Sequence, residues 1–128
     1  MTFTAGDTFL FDLKHATSHL WVITTNPNPD GYVLVVSLTS LKGSKDQTVI
    51  LNPADHPFIK WATCVAYAFS DLMTVEKLSE LIECGNAKQH HPMSADRTQL
   101  ILDGFLSSDF TKKRIVQFVK QYKATHKQ

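Results

Sequence analysis

The stretch that most constrains what this chain can fold into is Gly31-Tyr32-Val33-Leu34-Val35-Val36-Ser37-Leu38-Thr39-Ser40. Both parities are apolar as far as Ser37, and a strand sends successive side chains to opposite faces. Such a run has to be covered on both sides. Its β-branched residues and the turn residues before it, Asn26-Pro27-Asn28-Pro29-Asp30-Gly31, predict a strand rather than a helix. It reads as the central strand of a small, strongly curved sheet. The polar end, Ser37, Thr39 and Ser40, falls outside the apolar pattern and is the first candidate for a functional position.

The flanking segments follow the same logic. Thr8 to Leu13 alternates with Phe9, Phe11 and Leu13 on one parity, a first strand with one buried face. Lys14 to Ser18 is a polar loop, and His19 to Thr25 a second strand ended by two prolines that bar ladder hydrogen bonds. Leu41 to Asp46 reads as a hairpin loop, with Gln47 to Leu51 returning as antiparallel partner of the central strand. Two prolines in Asn52 to Pro57 break the sheet again, and Thr63 to Met73 predicts a long strand that bends part-way.

Helical spacing begins after residue 73. Thr74 can cap Val75 to Cys84, where Val75, Leu78, Leu81 and Ile82 share a face and Gly85 supplies the stop. Asn86 to Met93 reads as a polar loop. Ser94 opens a second helix, and Ser108 or Asp109 a third with the stripe Ile115, Phe118, Val119 and Tyr122. Strands followed by helices mean an α+β chain. The expectation is one domain: a small antiparallel β-barrel over 1–73, two or three helices over 74–123, and a frayed tail at 124–128.

At 128 residues the chain can bury a core without staples. Thirteen basic and 12 acidic residues give a net charge of +1, too little for avid, sequence-independent nucleic-acid binding but compatible with a small basic cleft. Residues 1–7 carry neither the basic nor the apolar part of a signal peptide, and no apolar run reaches bilayer length. Cys64 and Cys84 lack C-x-x-C spacing and are expected to be free core thiols in a reducing cytoplasm. Phosphate-loop, dinucleotide, hydrolase-elbow and zinc-protease strings are all missing.

Four patches carry side chains with chemistry. His19 stands at the start of the strand that should pair with the central one, which would bring it near Thr39; it is either an acid–base imidazole or a strand-end histidine bonded to loop backbone. In Asp55-His56-Pro57-Phe58-Ile59-Lys60-Trp61, His56 and Lys60 could hold a phosphate and Trp61 could stack on a base, or the apolar members could simply pack the barrel mouth. His90-His91 near Cys84 lacks the paired ligands of a zinc site and reads as a solvated loop, so no metal or cofactor is expected. Lys112-Lys113-Arg114 with Lys120, Lys123 and Lys127 makes the last helix basic, a solvated face or one side of a nucleic-acid groove.

Strand order and several local strings resemble the MazF/PemK/Kid family of growth-inhibiting toxins. The strings are Gly6 to Asp12, Val35 to Ser40 with its closing Leu-Thr-Ser step, and Cys64 to Leu78 leading into a helix start. The likeness covers residues 6 to about 84 and rests on order and spacing. It implies an SH3-like barrel, a homodimer, metal-independent cleavage of single-stranded RNA, and a cognate antitoxin peptide that blocks the groove. The family's catalytic Thr or Ser matches Thr39, with Ser40 beside it. Its arginine before the second strand has no counterpart: Ser18-His19-Leu20 stands there, and the only arginines are Arg97 and Arg114. The expected assignment is His19, Thr39 and Ser40 as catalytic, with His56, Lys60 and Trp61 on the substrate. The alternative is a non-enzymatic barrel of the same fold that binds a protein partner, as CcdB-like inhibitors do, or a mobile-element accessory protein. The missing arginine favours that alternative.

Overall fold

A computed structural model of the chain describes residues 2–11 and 19–126. The apolar run forms β3 (Tyr32–Ser40), flanked by β2 (Leu20–Ile23) and the twelve-residue β5 (Thr63–Thr74). Outside them lie β1 (Thr8–Phe11), β4 (Ile50–Leu51) and β6 (Ala87–His90). All six pair antiparallel in the order β4-β5-β3-β2-β1-β6. The sheet is curled into a half-barrel whose edges are β4 and β6. Three helices complete the α+β fold: α1 (Val75–Glu83), α2 (Ala95–Ser107) and α3 (Lys113–Thr125).

The two-sided burial expected of the central run is realised. Leu34, Val36 and Leu38 join a core with Ile101 and Phe105 of α2 and Ile115 and Val119 of α3. Val33 and Val35 join a second core with Phe9, Ile23 and Leu78 of α1. The expected bend in β5 is a bulge, where the register against β3 steps from Val35↔Asp71 to Ser37↔Ala66. Ser70 closes it by donating its hydroxyl to the Tyr67 carbonyl at 2.7 Å. Tyr67 is fully buried there and donates its own hydroxyl to the Ile101 carbonyl of α2 at 2.7 Å. Gly104 lets helix and ring approach so closely: a Cβ there would lie 1.9 Å from the Tyr67 oxygen and 2.7 Å from Val49 Cγ2.

Several expectations need correction. The return strand is shorter than Gln47 to Leu51 and pairs with β5, not with the central strand. Both edges of β3 are already taken, by β2 and by the eight residue pairs of β5, so the returning chain finds only the outer edge of β5. Asn86 to Met93 is not all loop, because Ala87–His90 pairs with β1 along its open edge. Only Ala87 of that strand is buried; backbone satisfaction rather than an apolar pattern forms it. The third helix starts at Lys113, because Ser108 is drawn into a turn: its hydroxyl donates to Asp46 and accepts from the Phe110 N–H. Cys64 is buried, but Cys84 is exposed at the end of α1 rather than in a core. Thr74 and Ser94 do cap α1 and α2, and Gly85 takes the positive φ of a helix stop. The first strand's expected end at Leu13, the Lys14 to Ser18 loop and the tail beyond 126 lie outside the described residues.

Candidate functional site

Two loops meet at the polar end of β3. Before β2 the chain enters at His19, and continuing the β2–β3 register two residues past Trp21↔Ser37 brings His19 level with Thr39. From the other side, the segment after the short turn Pro53–Asp55 is tied down by Ile59, which is buried in the larger core. A cleft of about 390 Å³ opens between them, lined by His19, Thr39, Ser40, Lys60, Trp61 and the apolar Phe58 among others. Five of the six residues singled out from sequence therefore share one concavity.

His19 is half-buried, and its Nδ1 lies 3.1 Å from the Leu38 carbonyl oxygen. A carbonyl can only accept, so Nδ1 carries the hydrogen and the neutral ring keeps its lone pair on Nε2. No described residue bonds Nε2. Lys60 donates one N–H to the Pro57 carbonyl at 3.1 Å, and its other two N–H groups have no partner among the described residues. Trp61 is 63% exposed and lines the cleft together with Lys60. Ser40 accepts from the Lys42 N–H at 3.3 Å, so its own hydrogen is available to a ligand.

His56 is placed differently. It is 2% exposed and does not line the cleft. Nε2 donates to the His91 carbonyl, and Nδ1 accepts from the Phe58 N–H at 3.0 Å. Both nitrogens are spoken for in the neutral form, so His56 buttresses the turn that carries Phe58 and Ile59. Burial is the main cause that holds its pKa below the ordinary 6.5, with His90 and His91 adding repulsion against a bond to His91 that raises it. The unfolded chain therefore binds the proton that the folded ring refuses. Stability contributed by this group is complete above pH 6.5 and is lost as pH falls below it toward the depressed folded value. Denaturant midpoints measured between pH 7.5 and 5 should fall on acidification, with a shallower fall in His56→Gln.

His90 is a half-buried strand residue rather than a solvated loop residue; its ring lies 5.2 Å from that of His56 and 5.7 Å from that of Phe58. Among the described residues no group of three or more His, Cys, Asp or Glu is placed to hold a metal ion. The two arginines face elsewhere: Arg97 pairs with Asp55 at 3.3 Å and Arg114 with Asp71 at 2.9 Å. Among the described residues, Lys112, Lys113, Lys120 and Lys123 at the last helix do not line the cleft either. Among the described residues no helix is long and apolar enough to cross a membrane.

Sequence reasoning missed the neighbours on the far side of Ser40, namely Lys42, Lys45, Phe69 and Phe110. The charged loop directly after Thr39-Ser40 and the phenylalanine before Ser70-Asp71 were the available signals. Compared with protein-family models and with curated proteins, the chain finds no match.

Proposed function

We propose that this chain is a MazF/PemK-like toxin built on an SH3-like barrel, an endoribonuclease that cuts single-stranded RNA without a metal. One observation supports the reading: an imidazole whose Nε2 is bonded by no described residue stands level with Thr39 in a cleft that also holds a lysine and an exposed tryptophan. Nε2 of His19 takes the 2′-hydroxyl proton, and O2′ bonds to phosphorus. The bond to O5′ then breaks, and the leaving oxygen takes the proton back from the imidazolium. Thr39 and Ser40 donate to the non-bridging oxygens, Lys60 offsets the charge that builds there, and Trp61 stacks on a neighbouring base. The resemblance adds a homodimer and an antitoxin peptide lying over the same cleft.

The test is incubation of the purified protein with single-stranded RNA in EDTA. Fragments ending in 2′,3′-cyclic phosphate and 5′-hydroxyl are the expected products. A second reading, a CcdB-like barrel acting on a protein target, is favoured by the absence of either arginine from the cleft. It predicts intact RNA, with growth arrest on expression and a stable complex with one protein.

A further inference from the structure

Beyond Ser40 the surface dips again into a pocket of about 320 Å³, within the usual range for small-ligand sites of about 300–1,000 Å³. Thr39 and Ser40 belong to both concavities, so one strand of substrate crossing Ser40 would enter each. Phe69 of β5 and Phe110 of the α2–α3 turn line the pocket, 69% and 44% exposed. Neither ring is part of a core, and exposed aromatic rings of this kind can stack on a planar ligand. Lys42 and Lys45 stand exposed on the same walls.

Asp46 is the unusual member, a carboxylate only 8% exposed. Its Oδ1 accepts from the Thr48 N–H at 3.2 Å and the Thr48 hydroxyl at 2.7 Å, and Oδ2 accepts from Ser108 at 2.8 Å. A carboxylate has about four lone-pair sites. Among the described contacts three are used, which leaves Oδ2 able to accept once more. A matching ligand combines a flat ring for the phenylalanines, an anion for the lysines and an N–H donor for Asp46. Nucleotides meet all three conditions when the base carries an exocyclic amino group. Uracil fits poorly, because its one ring N–H lies between two carbonyl oxygens that a carboxylate repels.

We propose that this pocket seats an amino-bearing base (cytosine, adenine or guanine) next to the phosphate held at Thr39, so that the enzyme selects against uracil there. The inference rests on the ribonuclease reading and names part of its substrate preference. It is tested by NMR titration of the full chain, and of Phe69→Ala, with cytidine 3′-monophosphate and uridine 3′-monophosphate. Cytidylate should shift the amide signals of Ser44, Asp46, Phe69 and Phe110 and bind at least about fivefold tighter than uridylate. Phe69→Ala, a change at an exposed ring, should weaken cytidylate about tenfold. Equal response to the two nucleotides, silent pocket signals or an unaffected Phe69→Ala overturns the inference. RNA cleavage alongside a silent pocket overturns it and leaves the nuclease standing. A cytidylate-selective response in a protein that leaves RNA intact supports the pocket as a nucleotide site and removes the nuclease.

Discussion

His19→Asn should lower the rate of RNA cleavage by about 10²–10⁴-fold, the usual loss when a positioned acid–base group is removed. Asparagine is the informative replacement because its amide nitrogen takes the place of Nδ1 and can still donate to the Leu38 carbonyl, the bond that holds the imidazole at 3.1 Å. Local structure is kept while the lone pair of Nε2 disappears. His19→Ala loses both and should be no more active. Thr39→Val, nearly equal in shape, removes one donor to the phosphorane, and a loss of about 10²–10³-fold is expected. Steady-state cleavage of a fluorescent oligoribonucleotide, with denaturant midpoints of each variant alongside, separates chemistry from folding. An unchanged rate in His19→Asn would remove the acid–base assignment.

Gly104→Ala is expected to be the most damaging single methyl group in the protein. The added Cβ would fall 1.9 Å from the Tyr67 oxygen and 2.7 Å from Val49, inside van der Waals contact with groups that cannot swing away. Tyr67 is fully buried and bonded to the Ile101 carbonyl, so α2 has to slide off β5 and weaken that bond. Overpacking of this kind costs about 1–3 kcal/mol and occasionally more. The intrinsic helix preference for alanine over glycine, about 1 kcal/mol, works the other way and loses. Gly104→Ala should therefore lower the urea midpoint. The double variant Tyr67→Phe/Gly104→Ala should recover part of the loss, since the nearest clashing atom is gone. A rise in midpoint for the single variant would contradict the packing described.

The strongest apolar signal was the most faithful. A run with no polar parity has one use in a small domain, and Val33 to Leu38 sits between two cores as that pattern demands. The caps at Thr74 and Ser94 were legible for a local reason, a side-chain oxygen three residues before an N–H it can accept from. The cleft, as a place where these residues meet, was legible in part because antiparallel pairing turns sequence order into adjacency, which carries His19 to Thr39. What could not be read depended on backbone edges and distant partners. Ala87–His90 becomes a strand because β1 has a free edge, although Lys88 and Gln89 face solvent. Gly104 is a plain helix breaker in sequence, and only Tyr67 opposite explains it. His56 looked like a phosphate ligand by its neighbours, yet its two nitrogens are used up by His91 and Phe58.

Nitrogen-15 NMR of the His19 ring, recorded as a single-stranded oligonucleotide made uncleavable by 2′-deoxy substitution is added, is the most direct measurement. The free protein should show a protonated Nδ1 and a lone pair on Nε2, and the Nε2 resonance should move on titration while Nδ1 keeps its bond to Leu38. A ring that carries its proton on Nε2, or a resonance indifferent to the oligonucleotide, would contradict the assignment of this cleft as the place where RNA is cut.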